Sequence, residues 1–221
     1  MKYSFLFFLS LILSSGLFAQ LSLGLKVQTG EAWQNYGDEI AIDGFDQRIE
    51  HYGVSMEAFY SVSPAISVGL APGYLRRGAA CEPGFVGSNP FLVQDATIYA
   101  NYLQLPLLIK ANIPLANRFS LFGQAGAGLG YLMSGHRDVL FLSSLDGGRE
   151  RQELDFEQEN TLNRFDFGAQ AGLGFAYQLG FGSLQLSADY YHGFLDMTET
   201  NTSENRSWSI GLGYSININR P

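Results

Sequence analysis

The sequence has few charged residues and a single cysteine in 221 positions. Charged side chains make up 15% of the chain, whereas soluble proteins carry about 25%. The net charge is −8 and no run of Lys or Arg occurs, which argues against nucleic acid as a partner, because phosphate binding requires clustered cations. Cys81 has no second cysteine to form a disulfide with. HExxH and CxxC patterns are missing, so we expect no metal site and no cofactor.

Long apolar runs are also missing beyond the N-terminus. Residues 1–19 contain Lys2, an apolar core from Phe5 to Leu13 and small residues leading to Ala19. This pattern predicts a secretory signal peptide, with residues 20–221 forming one exported domain. After it, no apolar run reaches the roughly 18 residues that a membrane-spanning helix needs.

Eight segments alternate apolar and polar residues with a period of two. They cover residues 21–28, 51–62, 65–77, 102–114, 119–133, 164–178, 183–194 and 207–218. This period indicates β-strands. The connections alternate between short ones, around Pro64, 112–118 and 179–182, and long polar ones. We therefore predict an all-β fold, an eight-stranded antiparallel up-and-down transmembrane β-barrel with short periplasmic turns and long extracellular loops, in a bacterial outer membrane.

A soluble lipocalin-like barrel or a sandwich would show the same alternation with the apolar face turned inward. Export and two further features favour the membrane barrel. The polar faces consist mainly of Gly, Ser, Gln and Asn, which suits a crowded lumen. Aromatic residues fall on the apolar faces, where membrane barrels carry interfacial girdles. The predicted girdle residues are Tyr52, Tyr74, Tyr131, Tyr190, Trp208 and Tyr214.

Charged residues on the polar faces define the candidate site. Assigned to the lumen, these are Lys26, Glu57, Lys110, Asp166 and Asp189. Opposite charges in a narrow interior should pair, because an unpaired buried charge is costly. A static packing network is one interpretation, and a gate or small pore is the other.

The segment YLQLPLLIKANIP at 102–114 places Pro106 in the middle of a strand. Proline lacks the backbone donor that a sheet ladder needs. We therefore expect a β-bulge at Pro106, with its carbonyl turned to the lumen.

YLQLPLLIKANIP, FDFGAQAGLGFAYQ, LQLSADYYHGF and IGLGYSINI, in this order along the chain, resemble strands of the PorT-like outer-membrane β-barrel family of Gram-negative bacteria. The resemblance covers the mature chain and implies an eight-stranded barrel with OmpA-type architecture. It implies little about activity, although the founding member is associated with protein secretion. The chain departs from many outer-membrane barrels by ending in Asn219, Arg220 and Pro221 instead of an aromatic residue.

We expect a structural or binding scaffold with a narrow plugged lumen and no catalytic residues. The alternatives are a small regulated pore and a lipid A modifying enzyme, for which His192 is the histidine considered, with Ser187, Asp189 and Glu199 near it in sequence. The expected partners are outer-membrane lipid and lipopolysaccharide, and an extracellular ligand or protein bound by the long loops. Acidic residues concentrate in the first and third predicted loops, at Glu31, Asp38, Glu39, Asp43 and Asp46, and at Glu150, Glu153, Asp155, Glu157 and Glu159.

Overall fold

The computed structural model describes residues 21–36, 47–81, 84–85, 92–141, 149–154, 163–197 and 203–218. The predicted signal peptide at 1–19 and the C-terminal residues 219–221 lie outside the described residues. Within the described ranges, none of the structure is a helix of the length and apolarity needed to cross a membrane.

The described residues form eleven β-strands, most of them long and rich in leucine, glycine and aromatic residues. In chain order they are β1 (Leu21–Tyr36), β2 (Ile49–Ser61), β3 (Ile66–Leu70), β4 (Gly73–Cys81), β5 (Gly84–Phe85), β6 (Leu92–Pro114), β7 (Phe119–Phe141), β8 (Arg149–Glu153), β9 (Phe165–Leu179), β10 (Gly182–Asp196) and β11 (Ser203–Asn217). Every pairing between them is antiparallel.

The strands close into a ring. β2 lies between β1 on one side and both β3 and β4 on the other, and β3 and β4 both pair with β6. The ring continues through β7, β9 and β10 to β11, which pairs with β1 along its whole length. Because β3 and β4 are successive parts of one strand position, the barrel has eight strands. The predicted transmembrane barrel is confirmed.

The connections at one end of the barrel are short, as predicted. Residues 62–65, 115–118 and 180–181 link neighbouring barrel strands at the periplasmic end. The Ser63 hydroxyl accepts hydrogen bonds from the backbone of Ala65 and Ile66, which fixes the first turn. Gly180 has a φ of 54°, a conformation that glycine adopts without a steric penalty.

At the extracellular end, several strands run further than the sequence pattern indicates. β1 continues to Tyr36, β6 begins at Leu92 and β7 ends at Phe141, and β8 adds a further strand to β7. Parts of the predicted loops therefore belong to the sheet. The period-two signal fades there because these extensions rise beyond the hydrocarbon and need no apolar outer face.

The two faces of the barrel differ in chemistry as the alternation predicts. Apolar side chains at alternate positions are exposed on the exterior, including Leu25, Met56, Leu107 and Leu173, which are 55%, 64%, 55% and 67% exposed. Their neighbours in sequence point into the lumen and are buried, as Lys26 is between Leu25 and Val27. An aqueous solvent would penalise this exterior by roughly 25 cal/mol for each Å² of apolar surface, so the exterior is suited to lipid.

The expected β-bulge at Pro106 is wrong. Residue pairing keeps one register through this position, from Leu107 with Leu70 to Gln104 with Gly73. The Pro106 carbonyl accepts a hydrogen bond from the Ala71 amide at 3.2 Å and so is not turned to the lumen.

The cost of the missing proline donor appears in the neighbouring strand instead. The ladder is interrupted at Ala71 and Pro72, which separates β3 from β4 without shifting either strand. A register irregularity does occur in the pairing of β6 with β7, between Asn101 and Tyr102, at the level of the outer half of the barrel.

Candidate functional site

The outer half of the lumen contains an ion pair between Arg77 on β4 and Asp166 on β9. Arg77 donates to the Asp166 carboxylate at 2.8 Å, and the two side chains are 2% and 3% exposed. The Asn205 amide also donates to Asp166, at 3.1 Å. The Arg77 guanidinium lies 3.5 Å from the centre of the Tyr191 ring and donates to Gln104. The pair is therefore desolvated and held from four sides.

A second ion pair lies near the middle of the lumen, between Lys26 on β1 and Asp189 on β10. The Lys26 ammonium donates to Asp189 at 2.6 Å. Gln124 and Ser187 donate to the same carboxylate at 2.6 and 2.7 Å. Gly172 faces Asp189, and a Cβ there would overlap the carboxylate. A glycine is needed at this position because two strands and a charged pair share the space.

The third pair, Lys110 with Glu57, lies towards the periplasmic end and is looser. Its nitrogen and oxygen atoms are 3.8 Å apart, although both side chains are less than a tenth exposed. The Lys110 ammonium donates to Gln185 at 3.0 Å and lies 4.1 Å from the centre of the Phe59 ring. A cavity of about 330 Å³ borders this pair and is lined mostly by Ser, Asn and Gln side chains. The Lys110–Glu57 pair therefore borders a polar cavity at the periplasmic end of the lumen.

Apolar side chains lie beside the outer pair. Leu75, Ala100, Tyr102, Leu132 and Met197 form a buried cluster in this half of the lumen. The Tyr102 hydroxyl accepts a hydrogen bond from Asn205, which joins the cluster to the ion pair. Gln34 donates a short hydrogen bond to the Met197 sulfur. Between the outer and central pairs, only a void of about 10 Å³ lies beside His51 and Gln28.

All five charged residues assigned to the lumen by the sequence point inward, but they do not pair only with one another. Asp166 pairs with Arg77, which was not among these five residues because it lies at the end of the predicted strand 65–77, near the outer rim. The uncharged partners Gln124, Asn205, Tyr102 and Tyr191 were missed. Their parity marked them as inward-facing, but nothing in the local sequence identifies which carboxylate each one contacts.

The six aromatic residues assigned to the girdle all point outward. Tyr131 packs edge-on against Phe165 at 5.3 Å between ring centres. Trp208 donates its indole N–H to Glu31 at 3.0 Å, and Tyr190 lies 6.3 Å from Trp33. These residues lie towards the extracellular end, whereas Tyr214 lies near the periplasmic turns, with Phe181 at 6.4 Å.

The histidine considered for catalysis lies on a different face of the barrel from its candidate partners. His192 lies on the exterior between the rings of Tyr190 and Phe194, at 6.5 and 5.2 Å. Ser187 and Asp189 are in the lumen, on the opposite side of the same strand. The three groups therefore do not form a triad, and Glu199 lies outside the described residues. Among the residues that the structure describes, no three His, Cys, Asp or Glu side chains are grouped as metal ligands.

Three of the acidic residues expected in loops lie in strands instead. Glu31 lies in β1, and Glu150 and Glu153 lie in β8. Asp38, Glu39, Asp43, Asp46, Asp155, Glu157 and Glu159 lie outside the described residues. β7 and β8 form a hairpin at the extracellular end. On it, Arg151 donates to both oxygens of Asp138, at 2.8 and 3.1 Å, and this carboxylate raises the pKa of the Arg151 guanidinium.

Comparison with solved structures identifies other eight-stranded barrels. The outer membrane protein OprG from Pseudomonas aeruginosa has 11% identity and a TM-score of 0.50, with 91% of this chain and 97% of OprG covered. Neisserial surface protein A has 12% identity and a TM-score of 0.45, with 88% and 96% covered. Ail of Yersinia pestis, in complex with the heparin analogue sucrose octasulfate, has 14% identity and a TM-score of 0.42, with 90% and 99% covered.

Comparison with curated protein sequences finds no significant match. The sequence model of the outer membrane protein beta-barrel domain matches residues 18–199. This match covers most of the chain and agrees with the closed ring of strands and the apolar exterior. The chain belongs to the outer membrane protein β-barrel domain family and is located in the bacterial outer membrane.

Proposed function

We propose that the protein is a non-conducting, non-catalytic scaffold of the outer membrane, which presents its extracellular strand extensions to a ligand or protein partner. The observation that carries the proposal is the lumen, which is filled by three ion pairs and a buried apolar cluster beside the outer pair. Each charge in the outer two pairs is desolvated and hydrogen-bonded. A resting path for ions would require these pairs to separate.

The energetics of the outer pair support a closed resting state. An open state that left one charge of the outer pair buried without its partner would cost about 3–5 kcal/mol, which corresponds to an open fraction below about one in a hundred. The central pair carries two further hydrogen-bond donors on its carboxylate, from Gln124 and Ser187. A regulated pore would need a trigger that opens both pairs together.

Single-channel recording in planar bilayers tests the closed lumen. The wild-type protein is expected to give no stable conductance. The double variant Arg77→Ala with Asp166→Ala removes the outer pair. The matched variant Arg151→Ala with Asp138→Ala removes a pair on the β7–β8 hairpin in which only Arg151 is exposed. We expect brief openings from the first variant only. A stable conductance of porin size from the wild-type protein would favour the pore and refute the scaffold.

The absence of catalytic activity is supported by where the candidate groups lie. His192 faces the exterior while Ser187 and Asp189 face the lumen, so the residues considered for a lipid A modifying enzyme are separated by the barrel wall. Mass spectrometry of lipid A from cells with and without the protein tests this assignment. A change in acylation that depends on His192 would refute it.

We further propose that the chain belongs among the PorT-like barrels, on the four strand motifs at 102–114, 165–178, 184–194 and 210–218. In this proposal residues 1–19 are the signal peptide and residues 20–221 the mature barrel. The partners are outer-membrane lipid and lipopolysaccharide around the wall, and an extracellular ligand or protein at the outer strands. The lumen residues Lys26, Glu57, Lys110, Asp166 and Asp189 act as a static network that stiffens the scaffold.

A further inference from the structure

The exterior of the barrel changes from apolar to polar between Tyr74 and Arg76, which are successive outward-facing residues of β4. One row across neighbouring strands consists of Val54, Tyr74, Leu103, Tyr131 and Phe165. The next row towards the extracellular end consists of Tyr52, Arg76, Asn101 and Ser134. The first row matches lipid chains and an interfacial girdle, whereas the second carries hydrogen-bonding groups. Arg76 therefore lies at the boundary between hydrocarbon and headgroups.

The Arg76 guanidinium is held by aromatic rings. It lies 3.7 Å from the centre of the Tyr99 ring and 5.2 Å from that of Tyr52. One nitrogen donates to the Tyr52 hydroxyl at 3.2 Å, while the buried Nε has no hydrogen-bond partner. Among the described residues, no carboxylate lies within 4.0 Å of Arg76.

Arg48 provides an internal comparison on the same exterior. It lies 5.1 Å from the centre of the Trp33 ring, so it also has an aromatic neighbour. Unlike Arg76, it forms an ion pair with Glu31 at 2.9 Å. Glu31 therefore neutralises Arg48, whereas no described carboxylate neutralises Arg76. A negative group from outside the barrel could take that position.

We propose that Arg76 binds a phosphate group of a phosphorylated glycolipid in the outer leaflet. A guanidinium offers paired N–H donors that match phosphate oxygens, and phosphate supplies the missing negative charge. The rings of Tyr99 and Tyr52 fix the guanidinium before the lipid binds, which lowers the entropy cost of binding. The position of the charge at the end of the apolar band matches a lipid headgroup, whose acyl chains then lie along the adjacent apolar row.

Asn101 and Ser134 extend the site beside Arg76. Asn101 donates to the Ser134 hydroxyl at 3.1 Å on the exposed surface. Both side chains keep further donors and acceptors that suit the hydroxyl groups of a sugar. This favours a phosphorylated glycolipid over a phospholipid with a small headgroup. The site rests on the proposed lipopolysaccharide partner and names the residues that contact it.

Native mass spectrometry of the detergent-solubilised full-length protein tests the site. The protein is titrated with diphosphorylated lipid A, with the same lipid dephosphorylated, with phosphatidylglycerol and with inorganic phosphate. We expect diphosphorylated lipid A to bind best. Arg76→Gln should weaken its binding about fivefold, since one cation at the membrane surface contributes about 1 kcal/mol. Arg76→Lys should lose less, and Arg48→Gln, the matched control, less than about twofold.

Each result separates one idea from another. The site would be overturned if wild type and Arg76→Gln bound diphosphorylated lipid A equally. It would also be overturned if Arg48→Gln lost as much binding as Arg76→Gln, or if the wild-type protein bound the dephosphorylated lipid equally well. Tighter binding of phosphatidylglycerol would overturn the choice of a glycolipid, and inorganic phosphate that binds as tightly as diphosphorylated lipid A would overturn a lipid headgroup as the source of the phosphate. If the wild-type protein retains no lipid A, the lipopolysaccharide partner fails as well, while the conductance test of the lumen is unaffected. Should Arg76→Gln not fold, Tyr99→Leu loosens the same guanidinium and should also weaken lipid A binding.

Discussion

Removing the negative charge of Asp166 should destabilise the barrel more than any other single neutralisation among its three lumen pairs. Asp166→Asn keeps the size of the side chain and one oxygen for Arg77, but it leaves the guanidinium without a counter-charge. Arg77 is 2% exposed and 2.8 Å from Asp166, and the ring of Tyr102, a member of the buried apolar cluster, lies 5.7 Å from its guanidinium. Water therefore has little access to compensate for the lost carboxylate.

The expected loss is about 3–5 kcal/mol of unfolding free energy, the usual cost of removing one partner of a buried pair. Glu57→Gln is the matched control, because Lys110 and Glu57 are also buried but lie 3.8 Å apart beside the periplasmic cavity. Lys110 keeps its hydrogen bond to Gln185. We expect a loss of about 1–2 kcal/mol there, closer to the range of a single hydrogen bond.

Urea titration of the protein refolded into lipid vesicles measures both losses, with the mobility of the folded barrel on gels as the readout. The double variant Arg77→Met with Asp166→Leu should recover much of the stability lost in Asp166→Asn, because it leaves no unpaired charge. A loss below about 1 kcal/mol for Asp166→Asn, or one equal to that of Glu57→Gln, would contradict the desolvated outer pair.

Three further outcomes follow from the wall of the barrel. Gly172→Ala should push the Asp189 carboxylate aside and cost about 1–3 kcal/mol of unfolding free energy, the range of an overpacked core. Gly213→Ala, whose new Cβ would have its nearest neighbours at 3.4 to 3.8 Å, should cost less than about 1 kcal/mol. The urea assay compares the two variants, and equal losses would refute the crowding at Gly172. Pro106→Ala restores a backbone hydrogen-bond donor but also raises the conformational entropy of the unfolded chain. Each effect amounts to about 0.5–1 kcal/mol, so the unfolding free energy should hardly change. A loss above about 2 kcal/mol would show that the proline ring itself is required. His192→Ala should leave lipid A unchanged by mass spectrometry, and altered acyl chains would contradict its position as a girdle residue.

The alternation of apolar and polar residues predicted the eight strands, and export with the sparsely charged polar faces and the outward aromatic residues predicted the membrane barrel and the inward direction of Lys26 and Asp189. The same parity could not predict the interruption opposite Pro106. A missing donor at one residue can be absorbed by the neighbouring strand, and the neighbour is known only when the sheet is assembled. The extensions of β6 and β7 were also missed, since strands beyond the membrane need no apolar face.

Local sequence is enough to sort the side chains of each strand into two faces, because successive residues of a strand point to opposite sides of a sheet. The predicted export and the sparse charge on the polar faces then indicate that the apolar face meets lipid. The tertiary structure alone decided that Asp166 pairs with Arg77 and that Arg76 has no acidic partner among the described residues. Contacts across a lumen depend on how far each strand is staggered against the next as the ring closes. That stagger sums over all eight strand positions, so no local stretch of sequence contains it.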